Sequence, residues 1–311
     1  MVLPVEGDRD LTVDVRDVRA EQARGMPLPL AALGEPVRAL LHRRPAAPPS
    51  STGRPLPRSR WRYRQAEPVS SPEPVSRTAP RSVHRTVFTQ GWRDVTFLHW
   101  AVDPHLVAPL LPAGTVPDEL DGATYVGLIP FRMRRIGLLG APGLPYLGSF
   151  AETNVRLYSV DAQGRRGVVF RSLEADRLLP VLAARWVARL PYQWSRMRIE
   201  RDGDRFSYRC ARRWPGPRGA GGTIAVRVGA ELPEPSPLAQ FLTGRWGLHQ
   251  LTAGRLAYWP NEHPAWPLHA AELLSLDDDL VATAGLPPVD GAPDSVLFSP
   301  GVDVRFGPRL R

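Results

Sequence analysis

The chain has 311 residues, 43% of them hydrophobic, which is enough for a sizeable core, and a formal net charge of +9. All 40 basic residues are arginine, since lysine is absent; a compositional bias of that kind accounts for the charge, and no nucleic-acid partner is expected. Cys210 is the only cysteine, so no internal disulfide is possible. No apolar run approaches the roughly 18 residues that span a bilayer, and the acidic amino terminus does not read as a secretory signal. A cytoplasmic protein without a membrane partner is therefore expected.

Composition changes near residue 80. Residues 1–80 are dense in Pro, Ser and Arg, lack a sustained hydrophobic period, and are expected to be a disordered tail with a short helix over Glu35 to Arg44. A second reading of the tail is a start-site artefact, with Val75, Val83 and Val87 as alternative starts. Residues 81–311 are expected to form a single β-rich domain.

In chain order, "DVTFLHWAV" alternates as a strand, with Val95, Phe97 and His99 on one side and Thr96, Leu98 and Trp100 on the other. "DPHLVAPLLP" reads as a short helix capped by Asp103 and stopped by Pro112. A strand follows in "ATYVGLIPFRMRRI". Next, "ETNVRLYSV" and "GVVFRSLEA" make an antiparallel hairpin around "DAQGRR". "DRLLPVLAARWVARL" is expected to be helical, with Pro180 in its first turn. "SRMRIERDGDRFSYRCARRW" is a hairpin turning at Asp202 and Gly203. A strand in "GTIAVRV", a helix opening at Ser236 and Pro237, and strands near "RLAYWP", "PLHAAELLSL" and "SVLFSPGVDVRF" complete the domain, with a short helix in "DDDLVATAG" closed by Gly285. Strands dominate and helices are few, so the class is α+β, mainly antiparallel β.

The order and wording of these segments resembles the YqjF-like family, a domain of unknown function in the acetoacetate decarboxylase-like superfamily. The resemblance covers about residues 86 to 308. It rests on "GWRDVTFLHWAVDPHLVAPLLPAG", "GLIPFRM", "ETNVRLYSVDAQGRRGVVFRSLEA", "LPYQWSRM", "FLTGRWGL" and "WPLHAAEL". It implies a cone-shaped barrel or double-layer sheet around a small-molecule cavity, with a few helices packed outside, and it implies no particular reaction. The decarboxylases of that superfamily form an imine on a lysine amine. This chain has no lysine, and a guanidinium, which stays protonated, does not replace one.

In "ETNVRLYSV" the alternation puts Glu152, Asn154, Arg156 and Tyr158 on one face. Residue types alone make this a solvated face; the resemblance turns Glu152, Asn154 and Arg156 inward, either as a buried charged pair or around an open, wet pocket. The hairpin register brings either Ser172 and Glu174, or Arg171 and Leu173, onto that same face, because a slip of one residue exchanges the faces. In the first case Glu152 and Glu174 form an acid–base pair beside an Arg156 carboxylate clamp. His99, among apolar neighbours, reads as a core histidine or a proton-transfer group, and Tyr192 as a capped turn residue or a ligand contact.

The expected site is thus Glu152, Glu174 and His99 for catalysis, with Arg156, Asn154, Ser172 and Tyr192 for ligand binding. No metal site and no cofactor are expected. His263 and His269 are six apart with two prolines between, which is not a helical ligand spacing, and Cys210 has no neighbouring base. No G-x-S-x-G elbow occurs, a Walker loop needs lysine, and "GPRGAGGT" reads as a loop. The expected partner is a small molecule, a carboxylate or carbonyl compound, and self-association is open. Two functions follow: an enzyme using acid–base chemistry without an imine, and a non-catalytic protein that binds in the same cavity. Converging carboxylates with raised pKa favour the enzyme; a wholly apolar cavity with one arginine favours binding alone.

Overall fold

Alternating β-branched, aromatic and polar residues carry this chain into strands wherever two faces must both be filled. The computed structural model describes residues 70–138, 143, 148–289 and 291–310, all within one unit spanning Tyr63–Arg311. The strands are β1 (Phe88–Val102), β2 (Thr115–Pro117), β3 (Thr124–Leu138), β4 (Phe150–Asp161), β5 (Arg166–Ala175) and β6 (Tyr192–Asp202). They continue with β7 (Arg205–Trp214), β8 (Gly221–Glu231), β9 (Gly247–Thr252), β10 (Arg255–Glu262), β11 (His269–Asp278) and β12 (Ser295–Phe306).

Among the described residues four short α-helices punctuate them. In α1 (Pro104–Val107) the Asp103 carboxylate accepts from His105 N at 2.8 Å, and in α3 (Pro237–Thr243) the Ser236 hydroxyl accepts from Ala239 N at 3.2 Å, so both caps act as the sequence predicts. Helix α2 (Leu178–Ala183) carries Pro180 in its first turn and runs on as a π-helical turn over Ala184–Ala188. Helix α4 (Leu280–Thr283) ends before Gly285, whose φ is +95°.

All twelve strands belong to one sheet, and the pairings close a ring through β1, β3, β4, β5, β6, β7, β8, β11 and β12 back to β1. Pairing is antiparallel except at β5–β6 and β5–β9. A mainly antiparallel fold with few helices is therefore what the chain adopts.

Strand β4 is buried on both faces. Val155 and Leu157 pack into a cluster with Leu98, Val126, Leu128, Val226 and Phe298. The opposite side faces a second cluster, including Phe97, Ile129, Phe131, Leu173 and Tyr192. Each fully buried leucine or phenylalanine contributes about 1.5–3 kcal/mol, so the strand is held from two sides.

Three details depart from expectation. Residues 70–80, taken as tail, lie against the domain: Ser70 N donates to Ala162 O at 3.4 Å, Arg166 Nε to Glu73 O at 2.6 Å, and Trp246 Nε1 to Ser76 O at 3.1 Å. The predicted Glu35–Arg44 helix and the rest of the tail to residue 69 lie outside the described residues. In the β6–β7 hairpin Asp202 pairs with Arg205, so the turn is Gly203–Asp204, one residue later than read. Strand β9 carries no strong alternation signal. It pairs along its length with β10 and begins at Gly247, where a Cβ would meet the Tyr258 ring at 2.3 Å.

Candidate functional site

The registers of β4 decide which side chains share its inner face. Gly127, Ile129 and Phe131 of β3 sit opposite Arg156, Asn154 and Glu152. On the other side, β5 offers Phe170, Leu173 and Ala175. Of these, Ile129, Phe131, Glu152, Asn154, Arg156, Phe170 and Leu173 line, with Phe97, Tyr192, Leu248 and Trp266, a cavity of ≈ 80 Å³, room for several waters or a small organic molecule. Glu152, Asn154, Arg156 and Tyr192 thus come together as expected.

Ser172 and Glu174 do not join them. Ser172 pairs with Val155 and Glu174 with Thr153, which places both on the opposite face, and the expected Glu152–Glu174 pair does not form. Glu174 instead accepts from Ser195 Oγ at 2.6 Å and from Arg212 Nη2 and Nε at 2.5 and 3.2 Å, in a fully buried ion pair. The alternative register is realised only in part. Leu173 lines the cavity, but Arg171 is the extra residue of a β-bulge and donates to Ala284 O and Leu110 O at 3.1 and 3.2 Å. Phe170 takes the place expected of Arg171.

Glu152 is 2% exposed, and its one side-chain hydrogen-bond partner among the described residues is Tyr192, whose hydroxyl donates to Oε2 at 2.9 Å. Burial raises its pKa to about 8, and the Tyr192 bond only partly offsets that. The Arg156 guanidinium is turned to the Tyr158 hydroxyl and Leu242 O, so the charged pair expected of Glu152 with Arg156 is not made. Near neutral pH Glu152 is largely a neutral acid. Asn154, 5% exposed, has a buried Oδ1 without a hydrogen-bond partner among the described residues. Arg156 is half-buried: Nε donates to the Tyr158 hydroxyl at 3.1 Å and Nη2 to Leu242 O at 3.0 Å.

His99 does not line the cavity. It is fully buried behind it, with Nε2 2.6 Å from the Tyr158 hydroxyl. Burial, reinforced by the charges of Arg156 and Arg245, keeps it well below the usual histidine range and so uncharged. A direct catalytic role for His99 is not supported. Arg245, which sequence reasoning missed, sits 4.6 Å from the Tyr158 ring centre and pairs with Asp118. Its signal lay in "FLTGRWGL", where an arginine follows a capped apolar helix.

A second polar chain resembles a hydrolytic triad in composition. Ser159 Oγ lies 2.8 Å from His249 Nδ1, and His249 Nε2 lies 3.2 Å from Asp161 Oδ2. All three side chains are sealed from solvent and none lines the cavity, so no substrate reaches the serine. Burial also pushes the Cys210 thiol far up, which makes it a poor nucleophile. Among the described residues no cluster of three His, Cys, Asp or Glu is placed to hold a metal, and no helix is long and apolar enough to cross a membrane.

The described residues thus form a ring-like, mainly antiparallel sheet with a small, mostly apolar cavity that holds one carboxyl group and one arginine. Residues 89–303 match the DUF2071 family model, described as an uncharacterized conserved protein, and the chain belongs to that family. It is 32% identical over 188 residues to the "Uncharacterized protein YqjF" of Bacillus subtilis (strain 168), covering 60% of this chain and 76% of that protein. Among solved structures, an acetoacetate decarboxylase-like enzyme from Sphingomonas wittichii RW1 matches with TM-score 0.50 and 14% identity, over 74% of this chain and 94% of that one. An acetoacetate decarboxylase from Legionella pneumophila matches with TM-score 0.49 and 15% identity, over 75% and 92%. The first of these likenesses gives the fold as acetoacetate decarboxylase-like, in line with the resemblance read from the motifs.

Proposed function

We propose that the cavity binds a small carboxylate or carbonyl compound and that Glu152 exchanges a proton with it. The observation that carries this reading is a carboxyl group held near pKa 8 in an apolar cavity, poised to donate or accept a proton at neutral pH. In this reading the Arg156 guanidinium holds the ligand carboxylate. The Glu152 hydroxyl faces the ligand carbonyl oxygen, and Tyr192 fixes the orientation of the carboxyl group. Asn154 Oδ1 accepts from a ligand hydroxyl. An imine route has no side-chain amine to use.

The apolar walls, with a single arginine and a single acid, support a second reading, in which the protein binds the same ligands without turning them over. One experiment separates the two. Pyruvate and acetoacetate are incubated with the protein in deuterated buffer, and loss of the C–H signal next to the keto group is followed by NMR. Exchange faster than the buffer rate that disappears in Glu152→Gln supports the enzyme. Binding by calorimetry without exchange supports the second reading, and neither binding nor exchange overturns both.

A further inference from the structure

Behind the cavity wall, the structure brings His99, Tyr158 and Arg156 into one hydrogen-bonded row. Tyr158 follows Arg156 by two residues on β4 and is fully buried. Its hydroxyl has one hydrogen and two lone pairs, and three neighbours. Arg156 Nε, at 3.1 Å, is always a donor; Leu242 O, at 3.1 Å, is always an acceptor. The third neighbour, His99 Nε2 at 2.6 Å, can be either.

The first two contacts occupy the hydrogen and one lone pair, so His99 must donate into the other. The reverse assignment, with Tyr158 donating to His99, would place the imidazole hydrogen on Nδ1. That atom is buried without a partner among the described residues, and an orphaned N–H is the rarer and costlier fault. His99 therefore carries its proton on Nε2, and Nδ1 is the bare acceptor.

We infer that Tyr158 and His99 are positioning residues, which clamp one edge of the Arg156 guanidinium so that Nη1 is left to meet an anionic ligand. This inference rests on the carboxylate-binding reading of the cavity. With Nε on Tyr158 and Nη2 on Leu242 O, the guanidinium is fixed in plane and direction, and a fixed fork binds a carboxylate better than a mobile one. The strand registers explain how the row is built. His99, Gly127 and Arg156 are aligned across β1, β3 and β4. A Cβ at Gly127 would meet His99 Nε2 at 3.1 Å and Arg156 Cγ at 3.2 Å, so glycine there opens the passage in which the two side chains reach Tyr158.

The test compares pyruvate and 3-hydroxybutyrate with their neutral primary amides, by calorimetry, on wild type, Tyr158→Phe, His99→Leu and His99→Gln. Phenylalanine keeps the packing of the Tyr158 ring on Phe241 and removes only the hydroxyl. Tyr158→Phe and His99→Leu are expected to weaken acid binding about tenfold or more and to leave amide binding unchanged. His99→Gln, which retains an N–H at the Nε2 position, is expected to restore most of the loss. Equal weakening for acids and amides, or no weakening, would overturn the inference.

A second measurement needs neither ligand nor a folded variant. The ¹⁵N shifts of His99 in the wild type are expected to show a protonated Nε2 and a bare Nδ1, and the opposite pattern would overturn the assignment. Absence of acid binding in the wild type alongside the expected tautomer would instead remove the carboxylate reading, and with it the ligand side of the inference.

Discussion

Glu152 and Glu174 are the same residue on neighbouring strands, both almost sealed from water, and they are solved in opposite ways. Glu174 faces away from the cavity and is matched by Arg212 and Ser195 within hydrogen-bonding distance. Glu152 faces the cavity and has only the Tyr192 hydroxyl, so burial drives its pKa to about 8. A buried carboxyl group with a built counter-charge holds the fold together; one without it is kept neutral and remains available for chemistry. The missing partner, rather than the glutamate itself, is what marks Glu152 for the proposed site.

The largest effect that can break this comparison is in the pH dependence of stability. Unfolded, Glu152 loses its proton near the ordinary value of 4.5; folded, it keeps the proton to about 8. Between those values the native state binds more protons, so stability falls as pH rises, by roughly 3 to 6 kcal/mol across the window. Urea unfolding of wild type and Glu152→Gln at about pH 5 and pH 9 is expected to show a steeper fall in the wild type, the variant keeping only the smaller contribution of buried acids such as Asp278. The same slope in both proteins would mean that Glu152 is ionised like any surface acid.

Next in size, Arg212→Ala leaves Glu174 buried without its partner and is expected to cost roughly 3 to 5 kcal/mol, measured as a lower urea midpoint. A cost near zero would show that Glu174 is no more committed than Glu152. Tyr192→Phe removes the only group that pulls the Glu152 pKa down. It is expected to cost about 1 kcal/mol and to extend the falling limb of stability to higher pH. Smallest in stability is Arg156→Ala, at about 1 kcal/mol, since hydrogen bonds are lost but no carboxylate is stranded. Its effect is expected in ligand response: the rise in melting temperature with 3-hydroxybutyrate disappears. An unchanged rise would place the anion elsewhere.

Much of the fold was legible because local rules and tertiary demands agree. The caps at Asp103 and Ser236 and the alternation in β4, β6 and β7 each have one physical reading. The row Glu152, Asn154, Arg156 was legible as a face, but its partners on β5 were not. Residues Val155, Leu157, Ser172 and Glu174 are all buried on the opposite side of β4 and β5. A strand filled on both faces thus carries no polar label telling one from the other. The bulge at Arg171 shifts the faces by one residue and leaves no mark in composition. Arg245 was missed because its partner, Asp118, is 127 residues away. Residues 70–80 were read as tail because they dock largely through backbone groups, such as Ser70 N, Glu73 N and O and Ser76 O, which any sequence supplies.

The central claim is that Glu152 is a neutral acid in its cavity at neutral pH. The direct measurement is a ¹³C NMR titration of the glutamate side-chain carboxyl groups in the wild type, with the Glu152 signal assigned through Glu152→Gln. The account predicts that this carboxyl group titrates at about 8. A midpoint in the ordinary range near 4.5 would contradict it.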